Sequence, residues 1–84
     1  MSVNYNMKNL DLIKKGIYFK IVGFDEKVTL KIKRRLLELG LTNGQKVRLV
    51  GKSCLGQALL IEIRGYTLTI RKNIASTVLV EGGV

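Results

Sequence analysis

The chain has no histidine, no proline and no tryptophan, and its one cysteine is Cys54. Without histidine it lacks the commonest general base and the commonest transition-metal ligand. A lone cysteine forbids an internal disulfide, which suits a reducing compartment. With no histidine to activate it, Cys54 reads as a small turn or core residue and not as a nucleophile. Acidic residues are scarce: Asp11, Asp25, Glu26, Glu38, Glu62 and Glu81 are the full set. They are scattered with no metal-ligand spacing, and Asp25-Glu26 fits helix capping better than an acid/base pair. No apolar run reaches the roughly 18–20 residues needed to span a bilayer. Met1 to Asn6 lacks the charged-then-apolar order of a signal peptide, so the expected location is cytoplasmic. The glycines form no phosphate loop. Gly40-Leu41-Thr42-Asn43-Gly44 is not followed by Lys-Ser/Thr and leads into a strand, whereas a phosphate loop opens a helix. These absences predict a protein that is not an enzyme and has no cofactor and no dedicated metal site.

What is present is a strong basic bias on a small apolar domain. The 84 residues carry fifteen Lys and Arg against six Asp and Glu, a net charge of +9, and 46% are apolar. That length holds one core, and the apolar content fills it. The charge points to an acidic partner: nucleic acid, anionic lipid headgroups or an acidic protein surface. It equally fits a solvated surface, because the basic residues are spread along the chain and form no tail. The aromatics Tyr5, Tyr18, Phe19, Phe24 and Tyr66 form no basic–aromatic motif. That weakens both a nucleic-acid-binding barrel, which needs stacking platforms, and a peptide-binding module, which needs an aromatic-lined groove.

Hydropathy patterning predicts five short strands and one helix. Residues 1–8 read as a flexible lead-in, 9–81 as the domain and 82–84 as a tail. Asn9 to Gly16 reads as a short turn, and Ile17 to Phe24 as a strand weakened at Gly23. Asp25 is the expected cap of a helix from about Glu26 to Leu39. Val28, Ile32, Leu36 and Leu39 share one helical face, with Arg35 on its border. Leu30 and Leu37 lie opposite, beside Lys33 and Arg34. That second stripe either packs under the N-terminal segment or faces a partner. Gly40 ends the helix, and Thr42-Asn43-Gly44 is turn chemistry. Period-two runs follow from Lys46 to Gly51, Leu59 to Arg64 and Thr67 to Arg71, separated by Ser53-Cys54-Leu55-Gly56 and a turn at Gly65-Tyr66. Lys72 to Ser76 suits one helical turn, and Thr77 to Glu81 a last strand. The expected fold is a small antiparallel barrel with the helix between its first two strands, closed so that no edge is exposed.

Several stretches, in order and spacing, resemble the FeoA family of ferrous iron transport proteins. They are Arg35-Leu36-Leu37-Glu38-Leu39-Gly40-Leu41 with Gly44, then Ser53-Cys54-Leu55-Gly56-Gln57-Ala58, then Ile61-Glu62-Ile63-Arg64-Gly65. Leu68-Thr69-Ile70-Arg71-Lys72 and Ala75-Ser76-Thr77-Val78-Leu79-Val80-Glu81 complete them. The family commonly has proline where Asn43, Cys54 and Ala58 stand, so a looser loop is expected after Gly51. The resemblance implies an SH3-like barrel, similar to the C-terminal domain of repressors of the diphtheria-toxin-repressor type. It also implies an accessory role beside FeoB, the membrane iron transporter with a cytoplasmic GTPase domain. Arg35, Leu36, Leu39, Gly40, Gly44 and Gly65 are then structural motif residues. The expected partner-binding residues are Leu30, Lys33, Arg34 and Leu37 on the outer helix face. A second candidate is the loop of Ser53, Cys54, Leu55, Gly56 and Gln57.

Overall fold

The computed structural model describes residues 7–82. Alternating apolar residues build six strands in one antiparallel sheet. They are β1 (Lys8–Asn9), β2 (Tyr18–Phe24), β3 (Lys46–Lys52), β4 (Ala58–Ile63), β5 (Tyr66–Arg71) and β6 (Val78–Gly82), in the spatial order β1-β6-β2-β3-β4-β5. Helix α1 (Leu30–Glu38) connects β2 to β3, and the single turn α2 (Lys72–Ala75) connects β5 to β6. A 3₁₀ turn at Leu10–Leu12 follows β1. Inward residues of neighbouring strands meet in register: Phe19 faces Val47, Val47 faces Ile63, Leu49 faces Ile61 and Leu59 faces Ile70. With Leu10, Leu36, Leu41, Val78 and Val80 they make a core that buries no polar or charged residue among those described.

Four expectations about the sheet are corrected. There are six strands, because Lys8 and Asn9 pair with Val80 and Leu79. Two residues show no alternation, so this strand has no signature in the sequence. It is anchored by Asn9 Nδ2, which donates to the Ser76 carbonyl at 2.6 Å. The helix therefore lies between the second and third strands. The sheet is also not closed, since β1 and β5 are its two edges. It curls through register shifts between Ile21 and Gly23 on β2 and between Leu49 and Gly51 on β3, where an extra residue bends the strand. The β4–β5 turn falls on Arg64-Gly65, not Gly65-Tyr66. Both turn residues have positive φ, 53° and 84°, as a two-residue hairpin of this twist requires. Of the expected lead-in, residues 1–6 lie outside the described residues and Lys8 belongs to β1. Of the expected tail, Gly82 ends β6 opposite Phe19, and residues 83–84 lie outside the description.

Helix α1 also begins later than expected. Asp25 caps its own turn, with its Oδ1 accepting from Lys27 N–H at 2.9 Å and its carbonyl from Val28 N–H at 2.9 Å. The β-branched Val28 and Thr29 follow, and Thr29 is extended and caps α1 through Oγ1, which accepts from Ile32 N–H at 3.2 Å. At the other end Gly40 N–H donates to the Leu37 carbonyl and Leu41 N–H to the Leu36 carbonyl, each at 3.0 Å. This is the double bond of a Schellman stop, and its accompanying apolar contact joins two buried residues, Leu36 and Leu41. Gly40 has φ +101°, and a Cβ there would stand 2.9 Å from the Tyr66 hydroxyl. Glycine is thus required twice over, by backbone conformation and by space.

Candidate functional site: the outer face of helix α1

The nine residues of α1 divide by helical angle. Leu36 is buried, and Ile32 packs half-buried against the core. Leu39 departs from expectation. It is 42% exposed, because as the C-cap it lies past the last full turn. Its backbone matters more than its side chain: the Leu39 carbonyl accepts from the Tyr66 hydroxyl at 2.6 Å, tying the helix end to the start of β5. Arg35 is exposed and borders a groove with Ile32, Leu36, Leu39, Ile70 and Arg71.

The outer face is open. Leu30 is 80% and Leu37 39% exposed, while Lys33 and Arg34 are exposed between them. Residues 1–6, the segment that one reading placed over this stripe, lie outside the described residues. Leu30, Lys33 and Leu37 line a shallow groove with Phe24 and Val28, so the leucines continue into an apolar strip at the end of β2. The Lys33 ammonium lies 5.7 Å from the centre of the Phe24 ring, a cation–π distance that keeps its charge beside that strip. Asp25, Glu26 and Asn43 close the groove. Phe24 was not singled out in the sequence, because nothing local shows that a strand end will meet a helix four residues into its first turns.

The second candidate, the β3–β4 loop, is held more tightly than its missing prolines suggested. The Ser53 hydroxyl accepts from Gln57 N–H and Ala58 N–H, both at 3.1 Å. Ser53 N–H donates to the Ala58 carbonyl at 2.9 Å and Gly56 N–H to the Ser53 carbonyl at 2.8 Å. One serine thus supplies the constraint. Cys54, Leu55 and Gln57 remain exposed, and Gly56 is half-buried. Asn43, also standing where proline was expected, ties the α1–β3 turn to β2. With its amide nitrogen turned to the strand it donates to the Ile21 and Val22 carbonyls at 3.1 Å. Gly44 N–H adds a bond to the Ile21 carbonyl at 2.6 Å.

The outer sheet face carries a row of Tyr18, Arg48 and Glu62. Arg48 stacks 5.3 Å from the centre of the Tyr18 ring and pairs with Glu62, which also accepts from the Tyr18 hydroxyl at 3.2 Å. Tyr66 is occupied with Leu39. The exposed tyrosines described are therefore engaged within the domain and form no free stacking platform. Among the described residues no three His, Cys, Asp or Glu side chains converge as a metal group would need. Among the described residues no helix is long and apolar enough to cross a membrane.

A curled antiparallel sheet, a helix docked by one face and an exposed basic–apolar opposite face define a small SH3-like domain. The FeoA domain model matches residues 8–82, and the chain belongs to the FeoA family. Its structure is similar to that of a FeoA-like protein from Clostridium acetobutylicum (TM-score 0.82, 25% identity, covering 100% of this chain and 92% of that one). It is also similar to the zinc complex of Stenotrophomonas maltophilia FeoA (TM-score 0.74, 27% identity, 86% and 87% covered). That protein is described as a procaryotic SH3 domain protein and a candidate ferrous iron transport activating factor. A manganese-dependent transcriptional repressor shares the fold over 98% of this chain and 44% of its own length (TM-score 0.84), at 11% identity. No curated protein sequence matches significantly.

Proposed function

We propose that this chain is a non-enzymatic cytoplasmic adaptor that binds the cytoplasmic part of a FeoB-type ferrous iron transporter and modulates iron(II) uptake. Family membership supplies the iron-transport setting. The observation that carries the reading is Leu30, 80% exposed on a helix whose other face is fixed in the core. Leu30 and Leu37 supply the contact that loses water on binding, and Lys33 and Arg34 steer the encounter with an acidic surface and set its register.

The test is co-purification of the transporter with the wild-type chain and with a Leu30→Ser/Leu37→Ser variant, alongside iron uptake in cells carrying each. The variant is expected to fold, to lose the transporter and to alter uptake as deletion of the chain does. A folded variant that retains the transporter at wild-type affinity excludes this face as the contact.

A further inference from the structure

The Ser53 to Gln57 loop stands at a sheet end apart from the outer face of α1, and three cations lie at the chain positions that adjoin it. Lys52 at the end of β3 pairs with Leu59, and Ala58 at the start of β4 pairs with Arg71 at the end of β5. Lys72 N–H donates to the Gln57 carbonyl at 2.9 Å. Lys52, Arg71 and Lys72 are all exposed, and Arg71 also shares a groove with Arg35 of α1, which extends the basic band. Leu55, at the loop tip, is 81% exposed, the most exposed large apolar side chain among the described residues. It lines one groove with Arg71 and Lys72, where the sole carboxylate is that of Asp11. One Asp11 oxygen is buried, so that carboxylate is not fully presented to solvent.

We propose that this end of the sheet docks on an anionic lipid surface. Leu55 enters the boundary between headgroups and acyl chains, while Lys52, Arg71 and Lys72 meet the headgroup charge. A projecting leucine with Arg71 and Lys72 in its groove and Lys52 at the adjoining strand end matches a soft interface that is apolar beneath and anionic above. Nucleic acid offers no apolar layer to receive that leucine, and a single strand calls for stacking aromatics, which this end lacks. The proposal rests on the adaptor reading, because a chain that works beside a membrane transporter gains local concentration from weak, reversible attachment to the same membrane. Its geometry is separate: the lipid contact uses the loop end and the transporter contact uses α1.

The experiment is flotation of the full chain with vesicles of phosphatidylcholine alone or mixed with phosphatidylglycerol. The chain is expected to float with the anionic vesicles only, and less as salt rises. Replacing Lys52, Arg71 and Lys72 together by Gln lowers the partition coefficient about a hundredfold, at about fivefold for each cation near the surface. Leu55→Ser lowers it about tenfold. Leu30→Ser/Leu37→Ser leaves flotation unchanged while losing the transporter, so the two readings fail separately. Equal flotation with neutral and anionic vesicles, or flotation that survives the triple replacement, overturns the proposal. So does a triple variant that loses duplex DNA but keeps anionic vesicles.

Discussion

Leu36 and Leu37 are neighbours of one residue type with opposite fates. Leu36 is 2% exposed and helps form the Schellman stop, whereas Leu37 is 39% exposed beside Leu30 at 80%. The inner face of α1 is tied down by Leu36, Leu41 and the bond from Tyr66 to the Leu39 carbonyl. The outer face carries the exposed Leu30 and the partly exposed Leu37, neither of which belongs to the buried core. This exposed stripe is the surface proposed above for the transporter contact.

That contrast is broken most severely from the inside. Leu36→Ala is expected to cost about 2–5 kcal/mol, read as a lower urea midpoint with an unchanged slope. Gly40→Ala should cost about 1–3 kcal/mol, since alanine inherits both the positive φ and the approach to the Tyr66 hydroxyl. Combining it with Tyr66→Phe sharpens the account. The double variant should be less destabilised than the sum of the singles, because the hydroxyl is one of the two obstacles. Thr29→Ala should cost about 1 kcal/mol through loss of the cap to Ile32. On the outside, Leu30→Ser should move stability by no more than about 0.5 kcal/mol. A Leu30→Ser penalty as large as that of Leu36→Ala would erase the distinction between the faces.

How much of this was readable in sequence depends on how far each signal reaches. Leu59, Ile61 and Ile63 alternate cleanly with their neighbours, and the strand they announce is there with all three buried. Gly40 announced the helix stop because left-handed stops favour glycine. Its second reason, the Tyr66 hydroxyl, comes from a residue 26 positions on and leaves no local trace. The helix starts later than the sequence suggests because Asp25 is an equally good cap for a turn as for a helix, and the extended Thr29 decides between them. The closed barrel was expected from the general cost of sheet edges. It fails because β1 and β5 do not pair with each other and remain the two edges. The outer stripe of Leu30, Lys33, Arg34 and Leu37 was legible from helical angle. The groove that joins it to Phe24, and the one that Leu55 shares with Arg71 and Lys72, required the folded structure.

The central claim is that the outer face of α1 is a docking surface and not a spare part of the core. It is tested most directly by measuring affinity for the cytoplasmic part of the transporter alongside urea stability for the Leu30→Ser/Leu37→Ser variant. The account predicts near wild-type stability with binding reduced at least about a hundredfold, as for two desolvated anchors. Binding that persists in the folded variant, or loss of binding that merely tracks unfolding, would contradict it.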